Sequence, residues 1–482
     1  MDITDFLELL KIAYLTKVKL CCTIINIKLI QKEGRYLNNI SRKFPSIIRF
    51  ENAACIIWSQ KYKRYYALEK QYSRVLFDAL LIKNKKVSDV CNDILELKEK
   101  FNDIEIDDSV RIINNIGRTE RPFYAPLECY FDFTNRCNLR CNCCYNKKNL
   151  GHITMKPKII SSIMTEMSEL GIQRLYVAGG EPTIDIPALK AYIDTAYELG
   201  ITTSMVTNGT LLTEKLCRYL LSKELVDISV SIDGYDEESS LLRRNDGKFK
   251  EAIEGVKMLV RLKKEMGNTI SEICVKPIID RSQDREFFVK MIELTMDLKA
   301  DKVKFANAER SLNHPLGYYS HDVESYYGTI KMISELQKEY GDRVVVTNVT
   351  NPCVGFGDIG IMGVHGCIGA QELIAINADG RITPCLMNHT ILGNYYDYGS
   401  MKNFFDNSET IATYGKSIVN EECFGCKIYS ACRGGCQVRK IVQTGKIQGK
   451  DPICPISNGV ALEEIVTTKR SVLTPIRVSH SL

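Results

Sequence analysis

The sequence lacks three things, and each absence removes a class of protein. It has no long apolar run: near the N-terminus the most apolar stretch is Leu20–Ile27, bracketed by Lys19 and Lys28, against the ~20 residues a membrane span needs. It has no basic segment leading into an apolar core, so no secretory signal is read and a cytoplasmic location is expected. It has no long low-complexity tract, and a hydrophobic content of 45% is that of a folded globular chain. No basic stripe or aromatic–basic motif speaks for nucleic acid. The formal charge is +5, and residues 1–50 account for all of it, with nine Lys and Arg (Lys11, Lys17, Lys19, Lys28, Lys32, Arg35, Arg42, Lys43, Arg49) against Asp2, Asp5, Glu8 and Glu33. Such an excess suits either a solvated surface or an acidic partner near the N-terminus.

Cysteine is not scarce. Nineteen are present, and in a reducing compartment they point to metal or redox chemistry rather than to disulfides. Their distribution is uneven. One group lies at 137–144 and another spans 353–454, while the stretch between holds only Cys217 and Cys274, which read as buried apolar residues.

A chain of 482 residues calls for two or three domains. Between 128 and 308 the pattern alternates strand and helix. Strands are expected at 128–134, 173–180, 201–209, 226–234, 272–280 and 301–308. Helices are expected at 156–169, 187–199, 213–221 (with Thr213 as N-cap), 248–266 and 284–298. Six βα units predict a parallel sheet, either doubly wound or a partial barrel, with the active site at the C-terminal strand ends. Polar or glycine-rich turns fall at those ends: "TNRCNLRC", "GGEP", "TNG" and "SIDG". Ahead of this region, 44–105 reads as a small domain of three short strands ("PSIIRFE", "ACIIWSQ", "KRYYALE") and two helices, the second capped by Ser88. Residues 1–40 suggest at most one amphipathic helix.

Cys137, Cys141 and Cys144 are spaced C-x3-C-x2-C. Structural zinc usually takes four ligands in paired C-x2-C units. Three thiolates on one loop suit a [4Fe–4S] cube with one open iron. Cys143 falls outside that spacing and reads as a small packing residue.

This loop after the first strand, with "GGEP" after the second, resembles the radical S-adenosylmethionine (SAM) superfamily. The resemblance implies a partial (β/α)6 barrel over 125–310 and a 5′-deoxyadenosyl radical made from SAM at the open iron. It implies SAM contacts at Gly179, Gly180 and Glu181, with the Glu181 carboxylate accepting from the SAM ammonium, and at Asn208, Ser231 and Asp233 near carboxylate and ribose. The family usually places an aromatic residue just before the third cysteine; here Cys143 stands there and Tyr145 follows.

The second group runs Cys367, Gly380-x4-Cys385, Cys423-x2-Cys426-x5-Cys432-x3-Cys436 and Cys454. Zinc knuckles share such spacing. The whole array resembles the SPASM extension of peptide-modifying radical SAM enzymes, expected here over 350–460. By that resemblance Cys423, Cys426, Cys432 and Cys454 hold an outer auxiliary [4Fe–4S] cluster, and Cys367, Cys385 and Cys436 an inner one, for three clusters in all. Cys353 either closes the inner cluster or leaves one iron open to a substrate thiolate. Residues 311–349 would bridge the two parts, and 461–482 form a tail.

Strands then helices ahead of such a core resemble the winged-helix-like domains that bind the leader of a ribosomally made precursor as an added strand; this assigns residues 1–110, with an edge strand in 44–67 as the docking site. The expected function is a thioether-forming peptide maturase served by a flavodoxin- or ferredoxin-type electron donor. Carbon–carbon crosslinking and formylglycine formation are alternatives, and a non-catalytic iron–sulfur or zinc scaffold is the alternative of another class. No residue is assigned as acid or base; Asp280 and Asp301 read as ordinary surface or cap carboxylates.

Overall fold

A computed structural model describes residues 44–52, 54–68, 70–244, 247–279, 283–307, 323–347, 366–417, 420–426 and 429–459. Residues 1–40, 461–482, Cys353 and Asp280 lie outside the described residues.

The front domain begins with β1 (Ile47–Phe50), β2 (Cys55–Ser59) and β3 (Arg64–Leu68), then α1 (Lys70–Phe77), α2 (Val87–Asp93) and α3 (Leu95–Asp103). A fourth strand, β4 (Arg111–Asn114), was not expected. It pairs parallel to β1 and gives the order β3-β2-β1-β4, with β3 and β4 at the edges. Ser88 is not the cap of the second helical stretch. α2 starts at Val87, Lys86 donates its N–H to Asp89 at 3.0 Å, and Ser88 inside the first turn donates N–H and hydroxyl to Asp108 at 2.8 and 2.7 Å.

The larger part is the barrel. β5 (Glu128–Phe131), α4 (Pro157–Glu169), β6 (Arg174–Val177), α5 (Ile186–Leu199), β7 (Thr202–Thr207), α6 (Glu214–Ser222) and β8 (Asp227–Val230) follow in turn. Then come α7 (Glu237–Arg244), α8 (Phe249–Glu265), β9 (Glu272–Val275), β10 (Ile278–Ile279), α9 (Arg285–Asp297) and β11 (Lys302–Asn307). β5, β6, β7, β8, β9 and β11 lie side by side, all parallel, as the six βα units require. Thr213 caps α6 by accepting Leu216 N–H at 3.3 Å. Side chains alternate along each strand. Phe131, Leu175, Met205, Ile228, Val230, Ile273 and Val275 turn outward into one core with the helices.

The sheet does not end with the sixth strand. α10 (Val323–Tyr340) returns the chain to β12 (Val344–Thr347), parallel to β11. On the other flank β13 (Leu373–Ile376) pairs parallel to β5, and β14 (Arg381–Thr383) and β15 (Gly393–Asn394) continue from it. The cysteine-rich region is thus joined to the barrel through one continuous sheet. It ends in α11 (Tyr395–Tyr398), α12 (Met401–Asn407), α13 (Glu409–Ser417), α14 (Tyr429–Cys432) and α15 (Gln437–Thr444).

The front domain sits on the residues that precede β5, β6 and β7. Tyr65 Oη donates to the Leu127 carbonyl at 2.8 Å and accepts Gln173 N–H at 2.7 Å. Gln60 Nε2 donates to the Gly200 carbonyl at 3.3 Å. Arg49, read from sequence as part of a basic surface, is fully buried: it donates to Pro126 and Gly171 carbonyls at 3.0 and 3.1 Å and pairs with Glu51. The front domain therefore occupies the face opposite the strand ends that carry the cysteine loop.

Candidate active site

The loop after β5 carries Cys137, Cys141 and Cys144. A bridge between Thr134 and Thr154 closes it, and the Asn135 side chain accepts Ile153 N–H at 2.8 Å. Cys137 Sγ accepts Leu139 N–H at 3.4 Å. Burial pushes the Cys137 and Cys144 thiols up, and backbone N–H groups of Leu139 and Asn146 oppose it. Such thiols ionise when a cation replaces the proton.

The GGEP turn is built against this loop. Gly180 N–H donates to the Thr134 carbonyl at 3.0 Å and Glu181 N–H to the Arg136 carbonyl at 2.7 Å. A Cβ on Gly180 would lie 2.0 Å from the Arg136 carbonyl oxygen, and Gly179 has φ +57° with the Thr134 carbonyl 2.6 Å from where its Cβ would stand. Glycine is required at both for close backbone approach.

Glu181 is buried, and its carboxylate is already well supplied with donors. Oε1 accepts Thr183 N–H at 3.0 Å and the hydroxyls of Thr183 and Thr207 at 2.5 and 2.7 Å; Oε2 accepts Asn208 N–H at 2.7 Å. Glu181 ties the ends of β6 and β7 together, and acceptor capacity for a ligand ammonium remains on Oε2 alone. Asn208 continues the tie: its amide donates to Asn138 Oδ1, inside the cysteine loop, at 2.9 Å. Asp233 is equally engaged. It accepts Ile278 N–H at 2.6 Å, pairs with Arg244 at 3.1 Å and accepts the Cys143 thiol at 3.7 Å. Cys143 is therefore more than filler, since it faces that ion pair. Ser231 lines a small cleft with Asn208, Thr210, Arg244, Lys248 and Phe249.

Arg244 was not found from the sequence, because no motif marks the last turn of α7. It is buried, donates to the Ser231 carbonyl at 2.8 Å and to Cys141 Sγ at 3.4 Å, and its own carbonyl accepts Asn142 N–H at 3.1 Å. One side chain thus joins the cysteine loop to the end of β8.

The later cysteines gather in two sets. Tyr414 lies among Cys367, Cys385 and Cys436; burial first, then these thiols, raise its phenol. Its hydroxyl donates to Gln437 Oε1 and accepts from Asn388, both at 2.6 Å. Cys423, Cys426, Cys432 and Cys454 form the second set. Asn420 donates to Cys423 Sγ at 3.1 Å, and burial followed by Asp451 and Cys454 pushes the Cys432 thiol up to about 12. Zinc with four thiolates at ~2.3 Å draws their sulfurs to about 3.8 Å of one another. Among the described residues the only three ligating groups within 4.8 Å are Asp227, Glu272 and Cys274, and there Lys304 already pairs with Asp227. No three cysteines among the described residues lie within 4.8 Å of one another, a wider spacing than a zinc tetrahedron needs. Cys217 and Cys274 are fully buried, as expected.

Residues 131–299 match the family described as the radical SAM superfamily. The barrel is a radical SAM domain. Among curated proteins the chain is 22% identical over 361 residues to the PqqA peptide cyclase of Bradyrhizobium diazoefficiens, covering 70% of this chain and 88% of that protein. It is 24% identical over 351 residues to the mycofactocin maturase MftC of Mycobacterium tuberculosis, covering 70% and 85%. Among solved structures, Streptococcus suis SuiB bound to SAM superposes with a TM-score of 0.66 at 16% identity, over 86% of this chain and 100% of SuiB. That likeness establishes the shared fold. No helix among the described residues is long and apolar enough to cross a membrane.

Proposed function

We propose that this radical SAM enzyme modifies a ribosomally made precursor peptide and closes a crosslink in it, most directly a thioether from a cysteine sulfur to carbon. The observation that carries the peptide reading is the front domain. β3 is an edge strand, and the helical segment that follows it leaves Val75, Leu81 and Ile82 exposed. An extended peptide added to β3 would gain main-chain hydrogen bonds and an apolar contact together. The relatives support this: two are named as a peptide cyclase and a maturase, and SuiB has been solved with its precursor peptide SuiA.

In this reading Cys137, Cys141 and Cys144 hold the cluster that binds SAM. Cys423, Cys426, Cys432 and Cys454 hold the outer auxiliary cluster, and Cys367, Cys385 and Cys436, with Cys353 or a substrate thiolate, the inner one. Such a set would supply the electron for reductive cleavage of SAM and a path for the electron released by crosslinking. Gly179 and Gly180 let the GGEP turn pack against the backbone of the cluster loop. Asn208, Ser231 and Arg244 line the cleft beside it. Arg140, Lys147 and Lys148 are exposed on the cluster loop and suit an acidic flavodoxin- or ferredoxin-type donor. A carbon–carbon crosslink is the second reading, favoured by the likeness to a peptide cyclase.

The test is anaerobic. Iron-reconstituted protein with SAM and a reductant should release 5′-deoxyadenosine, and Cys141→Ala should abolish it. With the precursor, mass spectrometry should show two hydrogens lost per bond and, for a thioether, one free thiol lost. SAM cleavage without any peptide product would sink the maturase reading and leave the radical SAM assignment standing.

A further inference from the structure

The inner face of the barrel is strongly polar, and nearly all its charges are matched. Alternation along β9 turns Ile273 and Val275 to the helices and Glu272 and Cys274 inward. Cys274 Sγ donates to Asp227 at 3.7 Å, across on β8. The next inward residue is Lys276. Its N–H donates to the Val230 carbonyl at 2.8 Å, which sets it level with Ser231, and on its other flank Ala306 N–H donates to the Pro277 carbonyl at 2.8 Å. Lys276 therefore stands at the C-terminal strand ends, at the mouth of the lumen.

The acids in this part of the barrel have cations or donors of their own. Asp227 pairs with Lys304 and accepts Ser229 at 2.6 Å. Glu272 pairs with Lys302 at 2.7 Å. Asp233 is held by Arg244, and Glu181 by Thr183, Thr207 and Asn208. Lys276 is 8% exposed and has no hydrogen bond from its ammonium and no ion pair among the described residues. Burial, with no acid beside it among the described residues, pushes the amine down to about 7. An unpaired buried amine costs stability, and an arriving anion would offset that cost. The cleft that carries Ser231 and Arg244 is lined without Lys276, and alternation along β9 aims the Lys276 side chain into the lumen at the strand ends.

We infer that Lys276 is an anion-binding residue of the reaction chamber and takes a carboxylate of the acceptor substrate, an acidic side chain of the peptide. This rests on the peptide-modifying reading. The substrate would enter with its acid against Lys276, which fixes the depth and orientation of the segment beneath the strand ends. The ion pair forms only with substrate in place, when water has left.

The holoenzyme can be dimethylated with [13C]formaldehyde and its lysine resonances titrated, the Lys276 signal being the one lost in Lys276→Arg. N-acetyl-glutamate N-methylamide serves as a probe of an acidic residue. Titrated to saturation, it should raise the Lys276 titration by about one pH unit or more, the size an opposite charge in hydrogen-bonding range produces, whereas the glutamine analogue should leave it in place. Lys276→Met should melt higher than wild type. A signal that the glutamate probe does not move, that the glutamine analogue moves equally, or that only SAM moves overturns the inference. Failure of wild-type holoenzyme to cleave SAM would instead count against the radical SAM reading.

Discussion

Arg439 and Asp451 form a bidentate, buried ion pair, Nε to Oδ1 at 2.6 Å and Nη2 to Oδ2 at 2.5 Å, each side chain 2% exposed. The same carboxylate accepts Cys436 N–H at 2.8 Å, and the Asp451 carbonyl accepts Cys454 N–H at 2.8 Å. Gly435 has no Cβ because Asp451 fills its place, 2.1 Å away. One residue thus fixes the backbone beside a cysteine of each auxiliary set. Asp451→Ala takes the carboxylate from a buried guanidinium, a loss of about 3–5 kcal/mol. We expect iron content to drop toward that of the SAM cluster alone, with a lower melting temperature. Retention of full iron would show that the cysteines need no such support.

Arg244 makes a different kind of contact, a charged N–H directed at Cys141 Sγ at 3.4 Å. Donors and positive charge at a thiolate ligand favour the reduced cluster. Arg244→Gln should shift the midpoint potential of the SAM cluster to more negative values, with Arg244→Lys between it and wild type. Redox titration by electron paramagnetic resonance reads this without any substrate. Equal potentials in all three proteins would leave Arg244 with a purely structural part.

These two residues also mark where the sequence stops being legible. The six βα units could be read because buried parallel strands are short apolar blocks between turns and the helices are capped locally, as Thr213 caps α6. β4 and β13 could not. "RIIN" and "LIAI" are apolar enough to be strands, but their pairing partners, β1 and β5, are set by parallel contacts far along the chain, which leave no local mark. The site divides in the same way. Cysteine spacing and the family resemblance pointed to the cysteines and GGEP, whereas Arg244, Asn138 and Asp451 act through contacts that no local motif marks. Glu181 was named by motif, yet its bonds to Thr183, Thr207 and Asn208 depend on where β7 ends.

Asp132 predicts a pH dependence. It is buried at the end of β5, its Oδ1 accepts Ala178 N–H at 3.0 Å, and burial raises its carboxyl to about 7 against the lowering effect of that N–H and of Gly179 N–H. A carboxyl raised in the fold binds its proton more tightly there than in the unfolded chain. Its contribution to stability is full below the ordinary carboxylate range and is lost as pH rises toward about 7. Asp132→Asn keeps an acceptor for Ala178 and removes the titration. The melting temperature of the variant relative to wild type should therefore climb between pH 5 and 7 and level off above. A difference that is constant across this window would mean that Asp132 ionises normally.

The junction of front domain and barrel rests on Glu51. Its carboxylate accepts from Arg49, from Asn115 Nδ2 at 2.7 Å and from Tyr124 N–H at 2.8 Å, and its side chain is fully buried. Arg49 in turn reaches the Ala125 carbonyl at 2.7 Å besides those of Pro126 and Gly171. Removing the acid strands a buried cation between two folding units whose main cores are separate and which share a small cluster of Ile47, Ile56, Trp58, Tyr65, Phe123 and Leu127. Glu51→Ala should cost about 3–5 kcal/mol at that junction and split calorimetric unfolding into two transitions, the front domain melting first. Hydrogen exchange at Gly171 and Gln173 should rise while the cluster loop at the opposite strand ends stays protected. Peptide-free SAM cleavage should then survive and precursor modification should fall, because the variant loosens the domain proposed to hold the leader and leaves the radical site intact. A single cooperative transition with unchanged exchange would mean that the junction is held elsewhere.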